Sequence, residues 1–94
     1  MVEHMSEDSS PLPDHLHPLL EYQLRFERAH LACLRAAETG DDDTLNHCRA
    51  ERLRSMRALI TARADAGADS APDRQALKVA AMAALANETA DALE

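Results

Sequence analysis

Residues 30–48 read HLACLRAAETGDDDTLNHC, and this stretch decides the fold that we predict for the chain. Leucine and alanine recur at helical spacing before Gly40, which stands where a left-handed residue commonly ends a helix. The three aspartates that follow suit the first turn of a second helix, because a carboxylate accepts hydrogen bonds from the free N–H groups there and complements the helix dipole. The stretch therefore predicts a tight corner between two antiparallel helices.

Apolar side chains extend this pattern in both directions from the corner. The first helix is expected to begin near residues 16–18, and the second is expected to end near Gly67. A third helix should follow Ser70, a predicted N-cap with Asp73 three residues later. The predicted fold class is all-α, an antiparallel helical hairpin plus a third helix, in a single domain over residues 16–94. We expect the third helix to bury one apolar stripe, and Leu77 lies outside that stripe. The residues of the stripe are Val79, Met82, Leu85, Ala86, Thr89 and Leu93.

Residues 1–15 differ from the rest of the chain. They are polar and acidic, contain prolines and show no apolar period, so we expect a disordered or extended arm. The opening MVEHM reads like the remnant of a cloning tag over residues 1–4, so His4 is given no functional weight.

Composition limits what this chain can build by itself. It has 94 residues, and Tyr22 and Phe26 are its only aromatic side chains, so its core should be small. We expect dimerisation or a partner helix to complete that core, with a homodimer as the simplest case.

A net charge of −7 argues against nonspecific binding to nucleic acid. No apolar run or leader pattern indicates a membrane protein, so we expect a cytoplasmic protein with reduced thiols.

Two cysteines and a histidine near the corner suggest a metal or redox site. His30 and Cys33 are one helical turn apart, and the hairpin should bring Cys48 opposite Cys33. Such a set of soft ligands would suit zinc or copper, and facing thiols would suit a redox switch. The alternative is that the thiols are small apolar side chains inside the hairpin. We favour this alternative and predict no metal and no cofactor.

Glu27 stands where a leucine is expected in the first apolar stripe. One interpretation is an ion pair across the hairpin with Arg52 or Arg54, which would fix the register of the two helices. The other is that these long side chains extend from a narrower stripe into solvent.

No sequence feature predicts catalysis. His15 and His17 lie beside Asp14 in a segment that is expected to be flexible, whereas a general base needs a rigid pocket. The chain has no glycine-rich phosphate loop, no nucleophile elbow and no metalloprotease motif. We therefore predict that it is not an enzyme.

Residues 20–64 resemble the central hairpin of the small flagellar and type III secretion export chaperones (FlgN/FliT-like). In that group a leucine-rich helix leads into an A-x-x-G-D turn. The second helix has a leucine near its start, then a charged E-R segment, and apolar residues near its end. Asp42 and Asp43 depart from the pattern, which often has an apolar residue after the turn. The matching positions are Leu31, Leu34, Ala36, Ala37, Gly40, Asp41, Leu45, Glu51, Arg52, Leu59 and Ile60.

The resemblance implies a cytoplasmic, non-catalytic protein that binds an amphipathic helix of a client. A helical hairpin with an incomplete core would leave an apolar groove for such a helix. Two other functions stay open: a self-associating structural or regulatory homodimer, and a metal- or redox-responsive sensor that uses Cys33 and Cys48. The residues predicted to form the groove or core against a partner are Leu20, Leu24, Phe26, Leu31, Leu34, Leu53, Met56, Leu59, Ile60 and Met82.

Overall fold

The computed structural model describes the backbone of residues 12–93 and the side chains of residues 12–90. A short 3₁₀ helix, Asp14–Leu19, leads directly into helix α1, Leu20–Thr39. Helix α2 spans Asp42–Asp65 and helix α3 spans Ala71–Leu93, with no strand among the described residues. The all-α prediction is confirmed. Most of the expected arm, including the suspected tag remnant, lies outside the described residues, and the 3₁₀ helix already begins within its last two positions.

The corner between α1 and α2 has the predicted construction. Gly40 adopts the left-handed conformation, with φ 76° and ψ 11°, and its N–H donates to the carbonyl of Ala36 at 3.2 Å. Asp41 caps α2 by accepting from the backbone N–H of Thr44 at 3.2 Å and from its hydroxyl at 2.8 Å. These hydrogen bonds to the carboxylate hold the pKa of Asp41 below its usual value. One helix therefore stops and the next begins within two residues.

Small side chains occupy the side of α1 that faces α2. Ala29, Cys33 and Ala36 are buried at spacings of three and four residues, and α2 contributes the buried Ser55 and Leu59. Such side chains let two helix backbones approach closely, but they remove little apolar surface from water. The hairpin is consequently close-packed and has a small core.

The opposite side of α1 packs against α3. Leu24 is buried against Ala81 and Leu85, and Leu20, Leu31 and Ala84 pack around this cluster. A second cluster fastens the end where α2 leads into α3, with Leu16 and Leu19 of the 3₁₀ helix against Ala68 and Leu77. The 3₁₀ helix thus covers the apolar core at the end of the molecule where α2 leads into α3. Within the described residues no helix is long and apolar enough to cross a membrane.

The three α-helices form one layer with α1 in the middle. Each residue of an α-helix is rotated by about 100° from the one before it. Leu20, Leu24 and Leu31, which face α3, therefore lie roughly 165° around α1 from the set that faces α2, namely Ala29, Cys33 and Ala36. No Cα atom of α2 comes within 8 Å of one in α3 among the described residues. The molecule measures 53 × 38 × 17 Å, and its radius of gyration of 15.5 Å exceeds the roughly 12 Å of a compact domain of this size. No described helix therefore covers either face of the layer.

The predicted apolar stripe of α3 is wrong except at Leu85, which is buried; Ala86 and Thr89 are exposed, and the side chain of Leu93 lies outside the described residues. Leu77, expected outside the stripe, is fully buried, whereas Val79 and Met82 are exposed. The core instead takes Leu77, Ala81 and Leu85, which lie on one side of the helix. Alanine-rich α3 is apolar on two sides, so periodicity alone could not select the buried one. The predicted N-cap is confirmed, since the N–H of Asp73 donates to Ser70 Oγ at 3.2 Å.

Candidate functional site

An apolar depression runs along one face of the layer, above α1 and between α2 and α3. We call it the front cleft. Two adjoining hollows of about 470 Å³ each form it, and Phe26 and Met56 line both. Leu53 and Ile60 add to its α2 wall, and they are 48% and 46% exposed although both are large apolar side chains. The front cleft is therefore an open apolar surface bordered by helices.

Basic side chains surround this apolar surface. Arg49 and Arg52 lie at one end, and Arg63, Arg74 and Lys78 lie at the other. Within the part of the chain that the structure describes, Glu27 is the one carboxylate that lines the cleft. Just outside the lining, Asp69 Oδ1 lies 3.1 Å from Arg63 Nε and 3.7 Å from Arg74 Nη1. Five cations thus stand against two carboxylates on a chain whose net charge is −7.

The floor of the cleft contains a buried polar pair. Glu27 is 2% exposed, and its Oε2 accepts from Gln23 Nε2 at 2.8 Å and from Lys78 Nζ at 3.1 Å. Neither predicted interpretation of Glu27 holds, because its cationic partner comes from α3 and its carboxylate is not in solvent. Arg54 instead donates to Glu51, and Arg52 lies beside His30. The hairpin prediction did not anticipate how closely α3 approaches the open side of α1.

Gln23 is the second buried polar residue of this floor, at 4% exposure. Its amide nitrogen is used by Glu27, but its Oε1 is buried without a hydrogen-bond donor. Buried polar atoms are nearly always paired, so an unpaired acceptor beside an open cleft marks a place where a further donor would be stabilising.

His30 belongs to the cleft and not to a metal centre. Its ring stacks on Phe26, with ring centroids 6.1 Å apart and an interplanar angle of 12°. Its Nδ1 lies 3.4 Å from Arg52 Nη1, a contact that agrees with the predicted hairpin register. Among the described residues, no three histidine, cysteine or acidic side chains come together as metal ligands, so His30, Cys33 and Cys48 do not form the ligand set considered from the sequence.

The two cysteines are free thiols in different environments. Cys33 is buried on the α2-facing side of α1, whereas Cys48 is half-buried. This placement agrees with thiols that fill space within the hairpin, which was the favoured interpretation of the sequence.

The back face of the layer has another hollow of about 470 Å³, but it is chemically different. Its charged groups pair with one another: Arg25 Nε lies 3.0 Å from Glu51 Oε2, and Arg54 Nη2 lies 2.9 Å from Glu51 Oε1. These hydrogen bonds, from Arg54 foremost and then Arg25, hold the pKa of Glu51 below its usual value. Tyr22 is the one large apolar side chain in that lining. The front cleft is the better candidate site.

The ten residues predicted to meet a partner fall into three groups. Leu20, Leu24 and Leu31 lie in the interface between α1 and α3 and are already covered. Leu34 is 50% exposed on α1, and Met82 lies one turn beyond Lys78 on α3, so both extend the front surface. The residues of the set that line the front cleft are Phe26, Leu53, Met56, Leu59 and Ile60.

Sequence reasoning missed the polar floor and the basic border. Gln23 and Lys78 carried no signal as single residues, because their importance depends on the packing of α3 against α1. Arg49, Leu53, Met56, Ile60 and Arg63 recur every three to four residues along α2. That spacing could have shown a basic and apolar stripe on one side of the helix.

Comparison of this chain with protein-family models, with curated proteins and with solved structures finds no match.

Proposed function

We propose that this chain is a non-catalytic module that binds an amphipathic helix of another protein. The observation that carries the proposal is the front cleft, where Phe26, Leu53, Met56 and Ile60 form an open apolar surface between helices. A helix seated there would lie over α1 and between α2 and α3, which converts an open layer into a two-layered bundle. Met56 suits this role because its unbranched side chain adapts to different contacts.

The cellular setting that we propose is the cytoplasm, with a secreted or structural subunit as the client. Support for this setting comes from the hairpin resemblance to flagellar and type III export chaperones over residues 20–64. Such a chaperone would keep an aggregation-prone helix of its client covered until the client is handed on.

Helix binding can be tested with a defined probe. A synthetic peptide of about 18 residues, roughly 27 Å of helix, would carry Leu and Ile on one side and Gln elsewhere. Binding is measured by fluorescence anisotropy of the labelled peptide. Ile60→Glu should weaken it at least about tenfold, because a carboxylate would replace an apolar contact in the cleft. Val79→Glu is the matched control, since Val79 is equally exposed, at 49%, but does not line the cleft.

Two results decide this proposal. Equal weakening by Ile60→Glu and Val79→Glu, or no peptide binding to the unaltered protein, would contradict it. Circular dichroism establishes that both variants keep their helix content. Ile60→Ala, which adds no charge, supplies a second measure and should weaken binding less than Ile60→Glu.

A homodimer is the second candidate function, favoured by the outer side of α3. Val79 is exposed there on a chain with a small core, and burying it against a second copy would add apolar area. Sedimentation equilibrium measures this directly. A dimer that Val79→Glu dissociates and Ile60→Glu leaves intact would identify α3 as the self-association surface, whereas a monomer at all concentrations would exclude it.

A further inference from the structure

We propose that the front cleft selects acidic amphipathic helices, whose apolar side meets Phe26, Met56 and Ile60 while flanking carboxylates meet the basic border. This inference rests on the proposed function and names the chemistry of its partner.

The distribution of charge is the first argument. Half of the ten basic residues of the chain line the front cleft, although the chain as a whole is acidic. On the back face, by contrast, Arg25 and Arg54 share Glu51, and Arg28 pairs with Glu88. The excess positive charge is greatest around Arg49 and Arg52, the end of the cleft away from Asp69. A partner that supplies carboxylates at this end would match the surface.

The apolar floor is the second argument, because it selects among anionic partners. Phosphate backbones and free anions gain nothing from Phe26, Leu53, Met56 and Ile60, whereas an amphipathic helix buries its own apolar side against them. Arginine borders suit carboxylates, since a guanidinium can donate two hydrogen bonds to one carboxylate. The combination points to a helix with acidic flanks.

Gln23 supplies the third argument. It is 96% buried in the floor of the cleft, and its Oε1 has no donor. This oxygen is covered in the free protein, so a serine, threonine or amide side chain near the middle of the partner's apolar side would donate to it once the Gln23 side chain turns toward the cleft. One central polar residue would thereby set the position of the bound helix along the cleft.

The same charges disfavour a second copy as the occupant. Two front clefts placed face to face would bring five cations of one chain against five of the other, with few carboxylates between them. Self-association is therefore expected at another surface, and the cleft is left for a partner of opposite charge.

The test compares three peptides with one apolar pattern. The Gln peptide described above is joined by a version with Glu and a version with Lys at the flanking positions. At low ionic strength the Glu peptide should bind at least about tenfold more tightly than the Lys peptide, with the Gln peptide between them. Raising the salt concentration should reduce the difference in affinity between the Glu and Lys peptides, because salt screens solvent-exposed charges.

A charge reversal locates the effect on the protein. Arg49→Glu should weaken binding of the Glu peptide by about fivefold or more and strengthen binding of the Lys peptide. Arg57→Glu is the matched control, because Arg57 is also an exposed arginine of α2 but does not line the front cleft. Equal changes in peptide affinity for Arg49→Glu and Arg57→Glu would overturn the inference, because the affinity would then depend on the net charge of the protein and not on the border of the cleft.

The outcomes separate this inference from the proposed function. If the three peptides bind equally and Ile60→Glu weakens all of them, helix binding stands and the selection for acidic flanks is wrong. If no peptide binds, both fail. A single-stranded DNA of 20 nucleotides that binds as tightly as the Glu peptide would also overturn the inference, because the cleft would then recognise charge without the apolar side of a helix. A dimer that Ile60→Glu dissociates would identify a second copy as the occupant and contradict it as well.

Discussion

Lys78 Nζ lies 3.1 Å from Glu27 Oε2, and this contact joins the third helix to the middle helix on the open face of the layer. The two groups differ in exposure: the Glu27 side chain is 3% exposed, whereas that of Lys78 is 56% exposed. Glu27 also holds the amide of Gln23 at 2.8 Å. A buried carboxylate thus depends on a half-exposed ammonium and a buried amide for its hydrogen bonds.

Removing Glu27 should cost more stability than removing Lys78. Glu27→Ala leaves Gln23 Nε2 buried without an acceptor, and we expect a loss of about 1–3 kcal/mol in the free energy of unfolding. Lys78→Ala should cost less, because truncating a side chain that is 56% exposed opens a space through which water can reach the carboxylate. Urea denaturation of the two variants measures the difference. A larger cost for Lys78→Ala would contradict the structure.

Leu77→Ala tests which side of α3 is buried. Leu77 has no exposed surface, so its truncation should lower the free energy of unfolding by about 2–5 kcal/mol. Val79→Ala, on an exposed position of the same helix, should change it by less than about 0.5 kcal/mol. Thermal unfolding measures both losses. A larger loss of stability for Val79→Ala than for Leu77→Ala would show that α3 buries the stripe predicted from the sequence.

Gly40→Ala should destabilise the corner through the backbone alone. No atom lies within 4 Å of the Cβ that alanine would add, so there is no clash, but the φ of 76° is unfavourable for a residue with a Cβ. The expected loss is about 1–2 kcal/mol. Gly40→Asn is the matched comparison and should cost less, because asparagine tolerates this conformation better. Equal costs for the two variants would contradict the explanation.

Acid should weaken the fold partly through Asp41 and Glu51. Both carboxyls have a lowered pKa in the folded chain, from usual values of 3.8 and 4.5. Their stabilisation is therefore complete above those values and is lost as the pH falls through the lower folded-state values. Asp41→Asn and Glu51→Gln should each make stability less dependent on pH between about pH 5 and pH 3. Thermal unfolding across this range measures it, and an unchanged pH dependence would contradict the assigned hydrogen bonds.

The two thiols should differ in reactivity. Cys48 is half-buried, whereas Cys33 is only 4% exposed inside the hairpin. A maleimide should modify Cys48 at least about tenfold faster than Cys33, whose modification requires the hairpin to open. The single variants Cys33→Ala and Cys48→Ala identify each rate by mass spectrometry. Equal rates in the folded protein would show that α1 and α2 separate readily.

The sequence predicted the features that depend on neighbouring residues. Gly40, Asp41 and Ser70 mark helix ends through local hydrogen bonds, and the structure confirms all three. These interactions span at most four residues, so the order of residue types is enough to recognise them.

Features that depend on how α3 packs were not predictable in the same way. Alanine is compatible with either side of a helix, so the apolar pattern of α3 allowed two choices, and the fully buried Leu77 lies on the one not chosen. The partner of Glu27 followed from that packing, since Lys78 is 51 residues away in the chain. The apolar residues of the candidate site were largely identified, and the spacing along α2 could have shown Arg49 and Arg63 beside them, but the contribution of Arg74 and Lys78 needed the position of α3.

The single-layer arrangement has a thermodynamic consequence for any molecule that occupies the front cleft. Among the described residues no Cα atom of α2 lies within 8 Å of one in α3, so α3 is held by α1, the 3₁₀ helix and the connection over residues 66–70 that follows α2. A ligand in contact with both outer helices adds a further attachment for α3. Linkage then requires that the free energy for detaching α3 rises with ligand concentration. Backbone amides of α3 should accordingly exchange hydrogen more slowly when the cleft is filled, and this slowing would report occupancy at a distance from the ligand itself.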